Sequence, residues 1–342
     1  MSHKFSLRAQ KPSVATPYGS KTSADAAGFP ILKGLSIYRL EIPCGGFREP
    51  HWHANADELT YCLGGNVLVT IFASGNVHAR FVVGAGEMFF VPSGSLHAIE
   101  NAGPEAAELL VTLSDESPED FGLSGFVGNL TPGVLANTWG LDRTALDGET
   151  RSADDLFFAG SAGPCEISEP DTYPHPWKFA IESRAPLLQN VHGSAIVARK
   201  DTWPALRHQA MYSVRIGGTG MREPHWHPET AELGYVKEGH ARMTVESPGG
   251  KAETYELEPG DVYFIPTAYP HHIENLNADA GLHFLIFFDT PEVQDIGFTG
   301  AIPALDARVM APTLGLSPEQ FALIPRLPAD LLIVGKENPV EG

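Results

Sequence analysis

Apolar and polar residues alternate with a period of two through much of the chain, as at Val67, Val69 and Ile71 and again at Met88, Phe90 and Pro92, with glycine-rich turns between the runs. That period puts every second side chain on the same face of an extended segment, so these stretches predict strands that bury one face against a core. Helix signals are few and come late in each half. One lies around Asp142 to Leu146. The other runs from Ser317 to Leu323, where a serine cap precedes Pro318 at the first helical position. Short helices of this kind suit the covering of a barrel end.

The pattern also repeats. Lys4-Phe5-Ser6-Leu7 returns as Lys178-Phe179-Ala180-Ile181, a shift of 174 residues. The same shift carries Phe29-Pro30 onto Trp203-Pro204, Gly65 onto Gly239, Gly86 onto Gly260, Pro92 onto Pro266 and Asn101 onto Asn275. A unit this long, present twice, is a duplicated domain that closes its own core, not a solenoid repeat. The sequence therefore predicts an all-β protein of two barrels: an N-terminal domain over residues 1–147, a linker of acids, glycines and prolines over 148–176, and a C-terminal domain over 177–342.

Composition narrows the partners. A formal net charge of −19 over 342 residues repels nucleic-acid backbones and anionic membrane surfaces, while a small anion can still bind where positive charge gathers locally. No run of eighteen apolar residues and no apolar leader is present, so a cytoplasmic location is expected. Cys44, Cys62 and Cys165 are odd in number and form no paired motif, which fits reduced thiols. A homo-oligomer is compatible with all of this.

The chemistry is concentrated in one repeated constellation. Arg48-Glu49-Pro50-His51-Trp52-His53 recurs as Arg222-Glu223-Pro224-His225-Trp226-His227. Two histidines two apart on a strand leave the same face and can converge on one point. Glu58 follows after a polar turn and His97 comes later; Glu232 and His271 repeat both spacings. Three imidazoles and a carboxylate per copy suit a divalent transition metal. Four protein ligands that leave two positions open favour Mn or Fe over tetrahedral Zn, with one ion in each copy. His272 falls on the opposite face of its strand, and His78, His208 and His240 have no such setting. Trp52 and Trp226, between the paired histidines, are expected to pack away from the ion.

These two motifs, with the Gly86, Pro92, Gly94, His97 and Asn101 series, resemble those of the cupin superfamily, and the duplicated arrangement is similar to the bicupins of the oxalate decarboxylase family. The resemblance implies two double-stranded β-helix barrels and a Mn enzyme that uses dioxygen as cofactor to split oxalate, a small carboxylate, into formate and carbon dioxide. It also implies that Arg48 or Arg222 binds a substrate carboxylate, a role that suits a bidentate guanidinium. Their odd spacing from the first histidine would turn them to the other face unless Pro50 and Pro224 disturb the alternation. The family's proton-carrying glutamate sits in a Ser-Glu-Asn-Ser-type lid that this chain lacks. Its corresponding stretches, from Ser114 to Gly122 and from Asp289 to Gly297, offer Glu119 and Asp120, and Glu292 and Asp295, as substitute acids. Without that lid, an oxalate oxidase, another metal-dependent dioxygenase, or a metal-storing or sensing bicupin without turnover remain alternatives.

Overall fold

Antiparallel strands make up most of the regular structure among residues 1–327 and 329–338, the residues that the computed structural model describes. The chain forms two compact units. One comprises Gln10–Phe29 and Leu35–Ala180; the other comprises Met1–Ala9, Pro30–Gly34 and the chain from Ile181 onward. These limits differ from the sequence boundaries in two ways. The opening strand of each repeat joins the other repeat's sheet: Lys4–Ser6 pairs with Asp261–Ile265, and Lys178–Phe179 pairs with Met88–Val91. Each guest strand covers a sheet edge that would otherwise expose unpaired backbone groups. Residues 148–176, expected as a linker, are partly built into the first unit, where Phe158–Gly160 pairs with Gly46–His53.

Each unit is a pair of antiparallel sheets. In the N-terminal unit the larger sheet runs Lys178–Phe179, Met88–Val91, Glu58–Gly64, Ala107–Leu113, Ser36–Ile42, Gly19–Ala24 and Val14–Thr16. The smaller runs Asp120–Gly122, Gly46–His53, Leu96–Asn101, Asn66–Ala73 and Val77–Gly84, with Phe158–Gly160 also on Gly46–His53. The C-terminal unit repeats both orders. Alternation places Val67, Val69 and Ile71 in a core with Tyr38, Leu109, Val111 and Phe89. The strand Met88–Val91 is buried on both faces, so period-two reading assigned it too narrow a role: Phe89 and Val91, not Phe90, join that core.

Helices follow the barrels at more places than the two expected. Leu123–Gly128 and Pro132–Trp139 precede a 3-10 turn at Arg143–Leu146, and Phe298–Ala304 and Ala307–Thr313 precede Pro318–Phe321. Pro132-Gly133 reads as a turn by composition. The Thr131 side chain accepts from the Val134 N–H, however, and makes Pro132 a favourable first residue, while Gly140 at φ 66° closes the helix. Ser317 caps the last of these helices as expected, and with Gln320 it completes a capping box. Trp52 stacks on Phe121 and meets Phe126 edge-on, and Trp226 meets Phe298. The tryptophans thus fasten the post-barrel segments to the strands that carry the paired histidines. No helix among the described residues is long and apolar enough to cross a membrane.

Candidate metal centres

Strand register brings the sequence-distant residues together. His97 on Leu96–Asn101 lies directly opposite His51 on Gly46–His53, and Glu58 opens the strand Glu58–Gly64. The donor atoms of His51, His53, Glu58 and His97 all lie within 4.8 Å of one another, as do those of His225, His227, Glu232 and His271, and all eight residues are buried. Glu58 Oε2 stands 3.0 Å from His53 Nε2 and 3.1 Å from His97 Nε2; Glu232 Oε2 stands 2.8 Å from His227 Nε2 and 3.3 Å from His271 Nε2.

The far side of each ring fixes its tautomer. Nδ1–H donates to a backbone carbonyl in five of the six: His51 to Glu49, His97 to Ser95, His225 to Glu223, His227 to Gln294 and His271 to Tyr269, at 2.7–3.1 Å. The sixth, His53, turns Nδ1 onto the Asp120 carboxylate in close ion-pair contact. With Nδ1 engaged by an acceptor, each ring aims Nε2 at the cluster, the orientation a metal ligand needs. Exposed His78, His208 and His240 lack this arrangement, and His272 faces Glu274.

Burial and neighbours set the charges. Burial, with Arg48 beside it, holds His51 well below the usual histidine range, and His225 is depressed likewise by burial and Arg222. For His53 burial opposes the charge, but Asp120 and Glu58 outweigh it and raise the ring to about 9. Glu58 goes down in spite of burial, because His97 and His53 favour its anion.

Each glutamate has a hydroxyl partner, supplied differently in the two copies. Thr60 donates to Glu58 Oε1 at 2.8 Å, and Tyr263 donates to Glu232 Oε1 at 2.7 Å. Strand pairing sets Thr60 against Phe89 and Gly234 against Tyr263, so the hydroxyl has moved from one strand to its neighbour.

The arginines do reach the site face. His97 pairs with His51 and Ile99 with Arg48, so Glu49 and Pro50 together oppose Ala98 alone; Arg222 and His225 against Ile273 and His271 repeat the irregularity. This β-bulge cancels the odd spacing. Arg48 NH1 donates to the Phe157 carbonyl at 3.2 Å, and its guanidinium lies 3.6 Å over the Phe157 ring. Arg222 NH1 donates to the Leu332 carbonyl at 2.8 Å. Phe157 and Leu332 both adopt left-handed backbone, φ 59° and 61°, unusual for bulky residues and retained in both copies. Buried Glu49 holds this turn, accepting from the Phe157 N–H at 2.7 Å and the Ser124 N–H at 2.9 Å; Glu223 does the same for Leu332 and Thr299.

Of the substitute acids, Asp120 and Asp295 enter the site and Glu119 and Glu292 are exposed. The Glu119 expectation is corrected accordingly: its backbone ties to Asn55 and Ala54 while the next residue turns inward opposite His53. Burial opposes the Asp120 anion, but His53, Lys21 and Arg48 bring it down to about 2. The two copies differ here. Asp295 Oδ1 binds Arg222 NH2 at 2.5 Å, whereas Asp120 Oδ2 stays 3.8 Å from Arg48 NH2 and 3.6 Å from Lys21 Nζ.

Sequence reading missed two parts of the site. Asp155-Leu156-Phe157-Phe158-Ala159-Gly160 recurs as Asp330-Leu331-Leu332-Ile333-Val334-Gly335, but at a shift of 175, because the turn after Asn101 and Asn275 differs by one residue. Lys21, on Gly19–Ala24, stands at the position of Ala195, a charge in one copy where the other is apolar. Ala195 lines a small cavity with Val197, Val214, Ile286, Arg222 and Asp295.

Comparison with known proteins agrees with this architecture. A family model described as Cupin matches residues 5–147 and again 179–322. The chain is 30% identical over 274 residues to oxalate decarboxylase OxdC of Bacillus subtilis (strain 168), covering 78% of this chain and 70% of that protein. It is 26% identical over 276 residues to a probable oxalate decarboxylase of Arthroderma benhamiae, covering 78% and 67%. A solved structure of Bacillus subtilis oxalate decarboxylase, a protein with Mn(II) centers, shares the fold with a TM-score of 0.87 at 24% identity, over 98% of this chain and 89% of that one.

Proposed function

Because the chain belongs to the cupin family and, within it, to the oxalate decarboxylase bicupins, we propose that it is a manganese-dependent carboxy-lyase that converts oxalate to formate and carbon dioxide with dioxygen as cofactor. The observation that carries this reading is the set of six rings with Nδ1 engaged outward and Nε2 converging on a carboxylate, a donor set that fits Mn or Fe. His51, His53, Glu58 and His97 would hold one ion, and His225, His227, Glu232 and His271 the other. When bound there, a redox-active metal with dioxygen would supply reversible one-electron oxidation.

The chain's own residues do the rest. Arg48 anchors a substrate carboxylate with the fork that Asp120 leaves unpaired at 3.8 Å, and its position is fixed by the Phe157 carbonyl. Arg222 is occupied by Asp295 at 2.5 Å, an asymmetry that supports turnover in the N-terminal site. Asp120 stands between His53 and Arg48, beside the guanidinium that would hold the substrate, and is the acid we assign to proton return. His51, His53, Glu58 and His97 are all buried, which strengthens the charge interactions at the site.

One observation favours a second reading, an oxalate oxidase giving carbon dioxide and hydrogen peroxide. Asp120 is tied to His53 and faces Lys21 and Arg48, neighbours that favour its anion, and an oxidase needs no proton returned to carbon. Incubation of the manganese-loaded protein with oxalate in air tests the two: formate without peroxide supports the lyase, and peroxide without formate replaces it with the oxidase.

A further inference from the structure

Lys21 is a largely buried cation with no role in the proposed reaction. Its side chain is 12% exposed, and its ammonium lies 3.7 Å over the Tyr38 ring and 5.1 Å from the centre of the Phe157 ring. Its nearest carboxylate oxygen, Asp120 Oδ2, is 3.6 Å away, and Arg48 NH2 addresses the same oxygen from 3.8 Å. Asp120 is meanwhile committed to His53 through its other oxygen. Asp25 contributes only a more distant negative charge. Two cations, Arg48 buried and Lys21 largely so, thus converge on one carboxylate that bonds closely with neither.

Sequestering a lysine from water at such partial compensation is costly unless something else completes its coordination. The C-terminal copy shows the alternative. There Ala195 replaces the lysine, Val197 and Val214 fill the surroundings, and Arg222 and Asp295 neutralise each other directly. The extra cation therefore belongs to the N-terminal site alone, on the arginine side of the metal cluster.

We propose that Lys21 selects the charge of the substrate: with Arg48 it makes the N-terminal site specific for a small dianion, a dicarboxylate, over a monocarboxylate. Arg48 holds one carboxylate in its fork, and Lys21, with three rotatable donors on a flexible stem, adds a charge-assisted hydrogen bond on the same anion. The inference rests on the substrate reading above for the site, and names the residue that reads the second negative charge.

The test is equilibrium binding by calorimetry on the full-length metal-loaded protein under argon, where no turnover occurs, with oxalate, malonate and acetate as probes. One charge-assisted hydrogen bond corresponds to about 10- to 100-fold in affinity. Wild type is expected to prefer a dicarboxylate over acetate by at least that factor. Lys21→Met should lose most of this preference while acetate affinity changes less than about threefold, and Lys21→Arg should retain it. Should Lys21→Met fail to fold, Lys21→Gln provides the same comparison. Equal weakening of all probes, or an intact preference in Lys21→Met, overturns the inference and leaves the oxalate reading standing. A preference for malonate over oxalate that disappears in Lys21→Met upholds the inference and removes oxalate as the substrate. No preference for dicarboxylates in wild type overturns both.

Discussion

Gly234 is a glycine because Tyr263 needs its space: a Cβ at Gly234 would lie 2.0 Å from Cζ of that ring and 2.4 Å from the hydroxyl. The hydroxyl so admitted donates to Glu232, the only carboxylate of its cluster. The other copy solves the same problem with Thr60 and Phe89. The two copies thus orient the same ligand with a hydroxyl supplied from different strands.

Gly234→Thr alone should therefore destabilise the protein by roughly 1–3 kcal/mol through overpacking against Tyr263. Gly234→Thr combined with Tyr263→Phe transplants the other copy's solution and should recover most of that loss. Denaturant unfolding of both variants and of Tyr263→Phe alone closes the double-mutant cycle; strict additivity would show that the pair is not coupled.

Glu49 fixes the arginine through the backbone, since each of its oxygens accepts from a separate amide, Phe157 and Ser124. Glu49→Gln turns one acceptor into a donor facing an N–H and should cost about 1–3 kcal/mol. Glu119→Gln, on an exposed side chain, should stay within about 0.5 kcal/mol. Thermal or chemical unfolding of the two variants checks the contrast, and equal losses would contradict it.

The acids also separate in turnover. Asp120→Asn should lower formate release from oxalate by about 100-fold or more, in the range of a lost acid–base group, and Glu119→Gln should leave it unchanged. A full rate in Asp120→Asn would remove the residue from the reaction.

Protonation of His53 makes metal uptake sensitive to pH. In the metal-free protein this ring is raised from 6.5 to about 9, so its charged form stabilises the fold fully below 6.5, and the contribution fades as pH rises through about 9. Asp120, lowered from 3.8 to about 2, acts in the opposite sense: its contribution is complete above 3.8 and disappears as pH falls through about 2. A metal at Nε2 must displace the His53 proton, so binding at pH 7 should release about one proton from the N-terminal cluster and strengthen with rising pH. Calorimetry in buffers of different ionisation enthalpy measures that proton; a buffer-independent enthalpy would contradict it.

Much of this was legible in the sequence because it depends on spacing. His51, His53, Glu58 and His97 are recognisable from the strand period and from their repetition, and the bulge at Glu49-Pro50 is signalled by a proline within an otherwise regular strand. What escaped depends on three-dimensional neighbours. No sequence spacing links Lys21 to Asp120: Gly19–Ala24 lies in the larger sheet of the unit and Asp120–Gly122 at the edge of the smaller, and the two side chains meet only in the folded unit. The choice between Glu119 and Asp120 is a matter of one residue of strand phase, which composition cannot resolve. The strap at residues 155–160 was hidden by its acidic, glycine-rich surroundings and by a single-residue change in the repeat shift.

Metal content tests the central claim most directly. Protein purified from manganese-supplemented cells should carry about two ions per chain, His97→Ala and His271→Ala about one each, and the double variant none, as three-histidine, one-carboxylate sites require. An ion content that is near zero in wild type, or that neither substitution changes, would contradict the assignment of both clusters as metal centres.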